Sequence, residues 1–258
     1  MSDAGLLALQ VRTTNKAFWR NPASAFFTFA FPLMFLVIFT ALLGSGSVEV
    51  APGVVIQQDS YYVAAMAAFA VITATYTNLA ISISFTRDAG ILKRTRGSPL
   101  PAGIYLGGRV AHAVLISIVL VVITAAFGVA FYQADVPTGV LLWEYLVTVV
   151  VGAMAFSALG LATTALVPNA DAAPAVVNAI ILPLLFLSGI FIPLGDDAPT
   201  WMKVIGDIFP VKHFAEAMLG SFYGPPFPFE WEDVLVVAAW GVVGLAVAIR
   251  FFSWEPRR

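Results

Sequence analysis

The sequence predicts an all-α integral membrane protein. It would have six transmembrane helices, an interfacial helix ahead of them, and a re-entrant helical segment on the outer side between spans five and six. Three observations carry that reading. Hydrophobic residues fill 60% of the 258 positions and charged residues only 11%, against about 25% charged in an average soluble domain; the mean hydropathy is +0.91. Six apolar runs approach or exceed the roughly 20 residues that a helix needs to cross the hydrocarbon core. The basic residues gather on one side of the layout those runs define.

Residues 3–20 read as the interfacial helix. Ala4, Leu7, Val11, Thr14 and Phe18 recur at helical spacing, while Arg12, Lys16 and Arg20 line another face and Trp19 suits the head-group level. A solvated amphipathic helix fits the same pattern. The spans fall at about 25–43, 61–85, 104–131, 140–167, 174–194 and 234–252, within a single transmembrane domain covering 1–258. They lack the alternation of barrel strands. In lipid each must satisfy its own backbone as a helix. Ala41-Leu42-Leu43-Gly44-Ser45 has the small residues of a leader cleavage site, but the segment ahead of the first run is longer than a usual leader's basic region.

Arg12, Lys16 and Arg20, then Arg87, Lys93, Arg94, Arg96 and Arg109, then Arg250, Arg257 and Arg258 share one side only if the span number is even. The other side has Lys203 and Lys212 among many carboxylates, including Asp196, Asp197, Asp207, Glu216 and Asp233. The positive-inside rule then puts both termini in the cytosol. Residues 195–232 are too polar for a span and too apolar for an ordinary loop. Pro199, Pro210, Pro225, Pro226 and Pro228 break any long helix there. Short helices that dip into the outer leaflet are expected, packed on protein or lining a wet cavity.

Several chemistries are unsupported. There is no cysteine, and His112 and His213 are far apart. No phosphate-cradling G-x-x-x-x-G-K-[ST] loop, G-x-S-x-G elbow or H-E-x-x-H helix occurs. No catalytic residue, metal or cofactor is therefore expected on this chain, and a net charge of -2 argues against nucleic acid. Ionisable groups approach the spans only at their ends, as Arg109, His112 and Glu144. Ion-coupled carriers keep such groups deeper in the membrane, so energy for any transport would come from a partner.

Two motifs carry a family resemblance. The first is Arg87-Asp88-Ala89-Gly90-Ile91-Leu92-Lys93-Arg94-Thr95-Arg96-Gly97-Ser98-Pro99-Leu100. The second is Ser188-Gly189-Ile190-Phe191-Ile192-Pro193, then Pro199-Thr200-Trp201, then Phe209-Pro210-Val211-Lys212-His213-Phe214-Ala215-Glu216-Ala217. Together with the layout they resemble the ABC-2 type transporter membrane subunits, which include drug- and lipid-export permeases. That family often has Asn where this chain has Phe209.

The resemblance implies the permease subunit of an ATP-driven exporter of amphipathic drugs or lipids, in the plasma (inner) membrane of a bacterium. Two copies, or this chain and a paralogue, would pair. Separate ABC ATPase subunits would hold ATP and Mg. The other partners would be membrane lipid and the hydrophobic substrate. Residues 87–101 would form the cytosolic coupling loop, with Arg87, Asp88, Gly90, Ile91, Leu92, Lys93, Arg94 and Arg96 meeting the ATPase. Ile91 and Leu92 supply an apolar knob and the basic residues suit an acidic rim; a loop that merely orients the protein reads the same way.

The pathway would draw on Phe31, Phe35, Thr73, Tyr76, Thr77, Asn78, Ser82, Asn178 and Ser188, although hydroxyls in spans also serve plain helix packing. Small residues from Gly152 to Ala162, and Gly107-Gly108, read as packing positions. Phe191, Pro193, Trp201, Phe209, Pro210 and His213 would form an outer gate, with His213 also readable as a satisfied interfacial histidine. Two other readings stand: a non-transporting scaffold or immunity protein, and a membrane-embedded enzyme using the outer acidic segment.

Overall fold

Long apolar stretches with few helix breakers fold here as helices, and glycine or proline marks where each one turns. The computed structural model describes residues 2–43, 46–51, 54–194, 198–224 and 229–255. Gly44, Ser45, Asp196, Asp197, Pro225, Pro226, Pro228, Arg257 and Arg258, invoked above, lie outside the described residues.

The order is α1 (Asp3–Trp19), α2 (Pro22–Leu43), a hairpin of β1 (Ser47–Ala51) and β2 (Val54–Gln57), then α3 (Gln58–Ile72). A π-helical turn (Thr73–Thr77) joins α3 to α4 (Asn78–Asp88), and α5 (Ile91–Arg96), α6 (Ala102–Tyr132), α7 (Val140–Thr163) and α8 (Ala173–Phe186) follow. The chain closes with α9 (Thr200–Ile208), α10 (Pro210–Tyr223) and α11 (Trp231–Phe251). The hairpin is the one departure from an all-helical membrane protein among the described residues, and its strands pair antiparallel.

Among the described residues, five helices are long and apolar enough to cross a membrane: Pro22–Leu43, Gln58–Asp88 running through the π turn, Ala102–Tyr132, Val140–Thr163 and Trp231–Phe251. The span expected at 174–194 is shorter as a helix, ending at Phe186. Beyond it the chain turns through Gly189, whose φ of 82° is left-handed and suits glycine because no Cβ is present to clash. The Tyr61 hydroxyl donates to the Gly189 carbonyl at 2.6 Å and Tyr62 to that of Phe191 at 3.1 Å. Two carbonyls freed by the helix ending are thus satisfied by the start of α3.

α3 is the enclosed centre, buried from Tyr61 through Ile72. Small residues let neighbours approach it and each other. A Cβ on Gly160 of α7 would lie 2.8 Å from the Tyr76 carbonyl oxygen, and one on Gly241 of α11 would lie 2.8 Å from Ala155 Cβ. On α6, Gly107 faces Leu7 and Gly108 accepts Gln10, so α1 packs on α6 as well as meeting any interface. Ala4, expected on the packed face of α1, is exposed, and Gln10 is on the packed side instead. The exposed apolar residues of α2, such as Phe26, Phe27, Met34 and Leu42, lie on its outer surface.

Gly152 of α7 tests this packing, because a Cβ there would fall 2.1 Å from the Phe214 ring. Gly152→Val is expected to cost about 1–3 kcal/mol through overpacking. It should lower the melting temperature of the detergent-purified protein by roughly 2–4 °C per kcal/mol. Gly103→Ala, with open space around it, should leave the temperature within a degree or so on the same scale.

Candidate functional site

The loop after α4 is held from inside. Arg87 is buried; its two terminal nitrogens donate to the carbonyls of Thr164 at 3.0 Å and Val167 at 2.8 Å, and its Nε meets Asp88 Oδ1 at 3.3 Å. Asp88 also accepts the Ala170 backbone N–H. These two residues therefore clamp the segment following α7 rather than pointing outward. Gly90 turns the chain with φ 69°, and α5 begins.

Leu92 is fully buried, in one cluster with Leu79, Ile83, Tyr105, Leu161 and Ala248. The apolar knob expected from Ile91 and Leu92 is thus carried by Ile91 alone, which is exposed, while Leu92 anchors α5 to helices α4, α6, α7 and α11. Lys93, Arg94 and Arg96 are exposed beside Ile91. Lys93 comes within 3.7 Å of Glu255, an exposed pair that contributes little.

The pathway residues do not share one surface. Asn78 and Ser82 line a cavity of about 520 Å³ between α1, α2, α4 and α6. Phe31, Thr73 and Asn78 line a smaller one of about 210 Å³. Tyr76 faces the opposite side, where its hydroxyl lies 2.9 Å from Thr163 Oγ1 beside an apolar cavity of about 500 Å³ bounded by α7, α8, α10 and α11.

Tyr76 and Asn78 are two positions apart, which on a helix is about 200° of rotation and puts them on opposite faces; the π turn lies between α3 and α4 at this point. Thr73 and Thr75 donate to carbonyls four residues back, so their hydroxyls are satisfied within their own helix. Thr77 is half-buried on the turn, and Asn178 half-buried on α8. Ser188 bonds Leu185 O and receives the Ile190 N–H, which stabilises the turn at Gly189.

At the other end, Phe191 is buried among rings. Its centroid lies 6.0 Å from Phe35, 5.7 Å from Phe39, 5.4 Å from Phe69 and 4.9 Å from Phe186. Phe35, assigned to the pathway, and Phe191, assigned to the outer gate, thus belong to one aromatic cluster. Pro193 is half-buried. α9 exposes Trp201, Val204 and Ile208, an apolar stripe at i, i+3, i+7. Phe209 stacks on Trp240, and Pro210 starts α10 in the first-turn position that tolerates proline.

His213 is fully engaged. Nδ1 lies 2.6 Å from Asp233 Oδ1 and Nε2 lies 2.9 Å from the Asp207 carbonyl oxygen. Both partners are acceptors, so the geometry fits an imidazolium that donates from both nitrogens. Lys212 pairs with Asp207 and, at 3.6 Å, with Glu216. His213, Glu216 and Asp233 offer ligand atoms within 4.8 Å of one another, but with both ring nitrogens bonded and Lys212 alongside, the cationic role there is already filled. Burial works to lower the His213 pKa, and the bonds to Asp233 and Asp207 outweigh it and raise it. Burial raises that of Glu216.

A bundle of apolar helices of membrane length, with a short basic helix keyed into one end, defines a membrane-embedded chain. The chain matches the ABC-2 type transporter family over residues 6–223 and belongs to that family. It is 25% identical over 228 residues to the inner membrane transport permease YadH of Escherichia coli K12, covering 86% of this chain and 82% of that one. The same figures hold for the YadH proteins of Escherichia coli O157:H7 and Shigella flexneri. Family and composition together place the chain in a membrane.

Sequence reasoning missed the partners of Arg87, His213 and the Tyr61-Tyr62 pair. Apart from Asp88 next to Arg87 and Asp207 shortly before His213, each partner lies 20 or more residues away in a different element, and no local spacing encodes it. Adjacent tyrosines at the mouth of an apolar run were the available signal for the last.

The His213 bonds to Asp207 and Asp233 have a pH sign. A raised histidine pKa means its contribution is present at low pH and lost as pH rises past the ordinary imidazole range, about 6.5. Glu216, also raised, acts in the same sense from lower pH. Protection factors in α9 and α10, taken relative to the base-catalysed exchange rate of an open amide at each pH, should therefore be higher at acid than at alkaline pH, and His213→Gln should remove most of that difference.

Proposed function

We propose that this chain is the permease half of an ATP-driven exporter, in which two copies, or one copy and a paralogue, surround a pathway for amphipathic drugs or lipids. Separate ABC ATPase subunits, a partner that family membership implies, would hold ATP and Mg. The observation that carries the reading is α5: a six-residue basic helix whose Ile91 is exposed and whose Leu92 is packed where α4, α6, α7 and α11 meet. A push on Ile91 reaches several membrane helices through one buried side chain. ATP binding to the partner would act by favouring one arrangement of the bundle over another.

Six crossings are supported by hydrogen bonds at both ends of the fifth segment. Ala170, just before α8, is held by Asp88 at one end of the long helix 58–88. Gly189, just after α8, is held by Tyr61 at the other. The stretch between them therefore covers most of the length of a helix that crosses a membrane. The N-terminal helix, α5 and the C-terminal tail meet at the basic end, the cytosolic one by the positive-inside rule. The α9–α10 segment then belongs outside, as a re-entrant element.

The function test is reconstitution with the neighbouring ATPase subunit. Burying an isoleucine is worth about 1.5–3 kcal/mol, so Ile91→Asp should weaken ATPase binding about ten- to a hundredfold and abolish stimulated hydrolysis. Intact stimulation in Ile91→Asp would overturn the coupling assignment. A scaffold would show no stimulation with any variant.

Topology has a clean test because the chain lacks cysteine. Thr200→Cys should react with an impermeant maleimide in whole cells. Ser2→Cys and Ser253→Cys should react only after permeabilisation.

A further inference from the structure

The 520 Å³ cavity between α1, α2, α4 and α6 contains a positive charge that no carboxylate among the described residues pairs with. Arg109 lines it from the second turn of α6, about 10 Å along the helix from its start. Its guanidinium has five N–H donors. One is used on Ser82 Oγ at 2.9 Å, and the Tyr105 ring lies 5.9 Å away. Among the described residues Arg109 has no ion pair, and neither Asp nor Glu lines the cavity.

One turn on, His112 also lines it. That side chain is 8% exposed, its ring sits 5.5 Å from Phe18, and its Nδ1 has no hydrogen-bond partner. Buried polar atoms are nearly always partnered, so an orphan beside an unpaired guanidinium points to a ligand that accepts hydrogen bonds and carries negative charge.

The rest of the lining gives that ligand its shape. Phe18, Ile81 and Phe85 make one wall apolar. The adjoining 210 Å³ cavity shares Asn78 and Thr28 with this one and continues past Phe31 to Thr73 at the π turn. A charged head beside Arg109 would have room for the first part of an apolar tail.

We propose that this cavity binds the anionic, oxygen-bearing head of an amphiphile, with a phosphate as the fitting class. Arg109 supplies a planar fork for two oxygens, and the His112 ring, on the same lining, supplies a third donor once it turns its enclosed Nδ1 toward the cavity. As a statement about exported cargo this rests on the exporter reading; as a binding site it does not.

The test uses the full chain in detergent, with dioleoylphosphatidylglycerol, dioleoylglycerol and inorganic phosphate as probes, read by native mass spectrometry and by competition. Phosphatidylglycerol is expected to bind at least about tenfold tighter than dioleoylglycerol, a difference of about 1.4 kcal/mol. Arg109→Gln should remove that preference and Arg109→Lys restore part of it. His112→Phe, which keeps the ring contact with Phe18, should weaken binding severalfold. Arg12→Gln, the same charge change on exposed α1, should leave it intact.

Displacement of the lipid by millimolar phosphate would uphold the site and assign it to a soluble phosphate compound. Equal binding of the two lipids, or unchanged phosphatidylglycerol binding in both Arg109→Gln and His112→Phe, would overturn it. If Arg109→Gln does not fold, the His112→Phe and lipid-preference arms decide. Lipid binding without ATPase stimulation in the wild-type chain would sink the exporter reading and leave the site standing.

Discussion

The buried guanidinium of Arg87 is the constraint on which the rest of the basic end depends. A charge enclosed this far costs several kcal/mol unless its donors are met. Here the carbonyls of Thr164 and Val167 and the carboxylate of Asp88 meet them. Those carbonyls belong to the unwound residues after α7, which would otherwise lack partners. One side chain thus satisfies a frayed helix end and fixes where α8 begins. Asp88 extends the clamp to Ala170. Because α4, the end of α7 and the start of α8 are tied together, α5 leaves the bundle at a defined place and angle.

The opposite end uses a different chemistry for the same purpose. Tyrosine hydroxyls from the start of α3 reach the carbonyls exposed where the chain turns after α8, and Tyr223 of α10 bonds the carbonyl of Ser60. The Tyr62 ring stacks on Phe39 of the aromatic cluster around Phe191, and the Tyr61 ring meets that of Tyr62 edge-on. A buried tyrosine is well suited to this task, since its ring packs as an apolar body while its tip needs one polar partner. The helices beginning at Gln58 and Ala173 are therefore fixed to one another at both ends, while α2, touching its neighbours mainly through one face, is left largely to lipid or to another chain.

Much of this was legible in the sequence. Apolar run length located the long helices to within a few residues, because crossing lipid leaves a helix few alternatives. The small residues at Gly108, Gly152 and Gly160 read correctly as places of close approach, since only their lack of bulk matters there, while Gly107 has ordinary contact room beside Leu7. What stayed hidden depends on pairing across the chain. Leu92 and Ile91 are neighbours of the same kind, and nothing local says that one is buried and the other exposed. His213 has no useful local partner; its acceptors arrive from Asp207 and Asp233 only after α9, α10 and α11 assemble. The hairpin strands Ser47–Ala51 and Val54–Gln57 were missed because such short valine-rich runs do not stand out between two dominant apolar signals.

The wider turn at Thr73–Thr77 interrupts the regular winding of the helix that runs from Gln58 to Asp88. Such a turn takes up one residue more than a regular α-helical turn, so the halves on either side keep the directions that their anchors require. Tyr61 still meets Gly189 at one end, and Arg87 still meets Thr164 and Val167 at the other. Only the side chains on the turn itself lose the regular spacing. A change of one residue in length at this point would therefore alter what Thr73–Thr77 present and leave the anchors at either end in place.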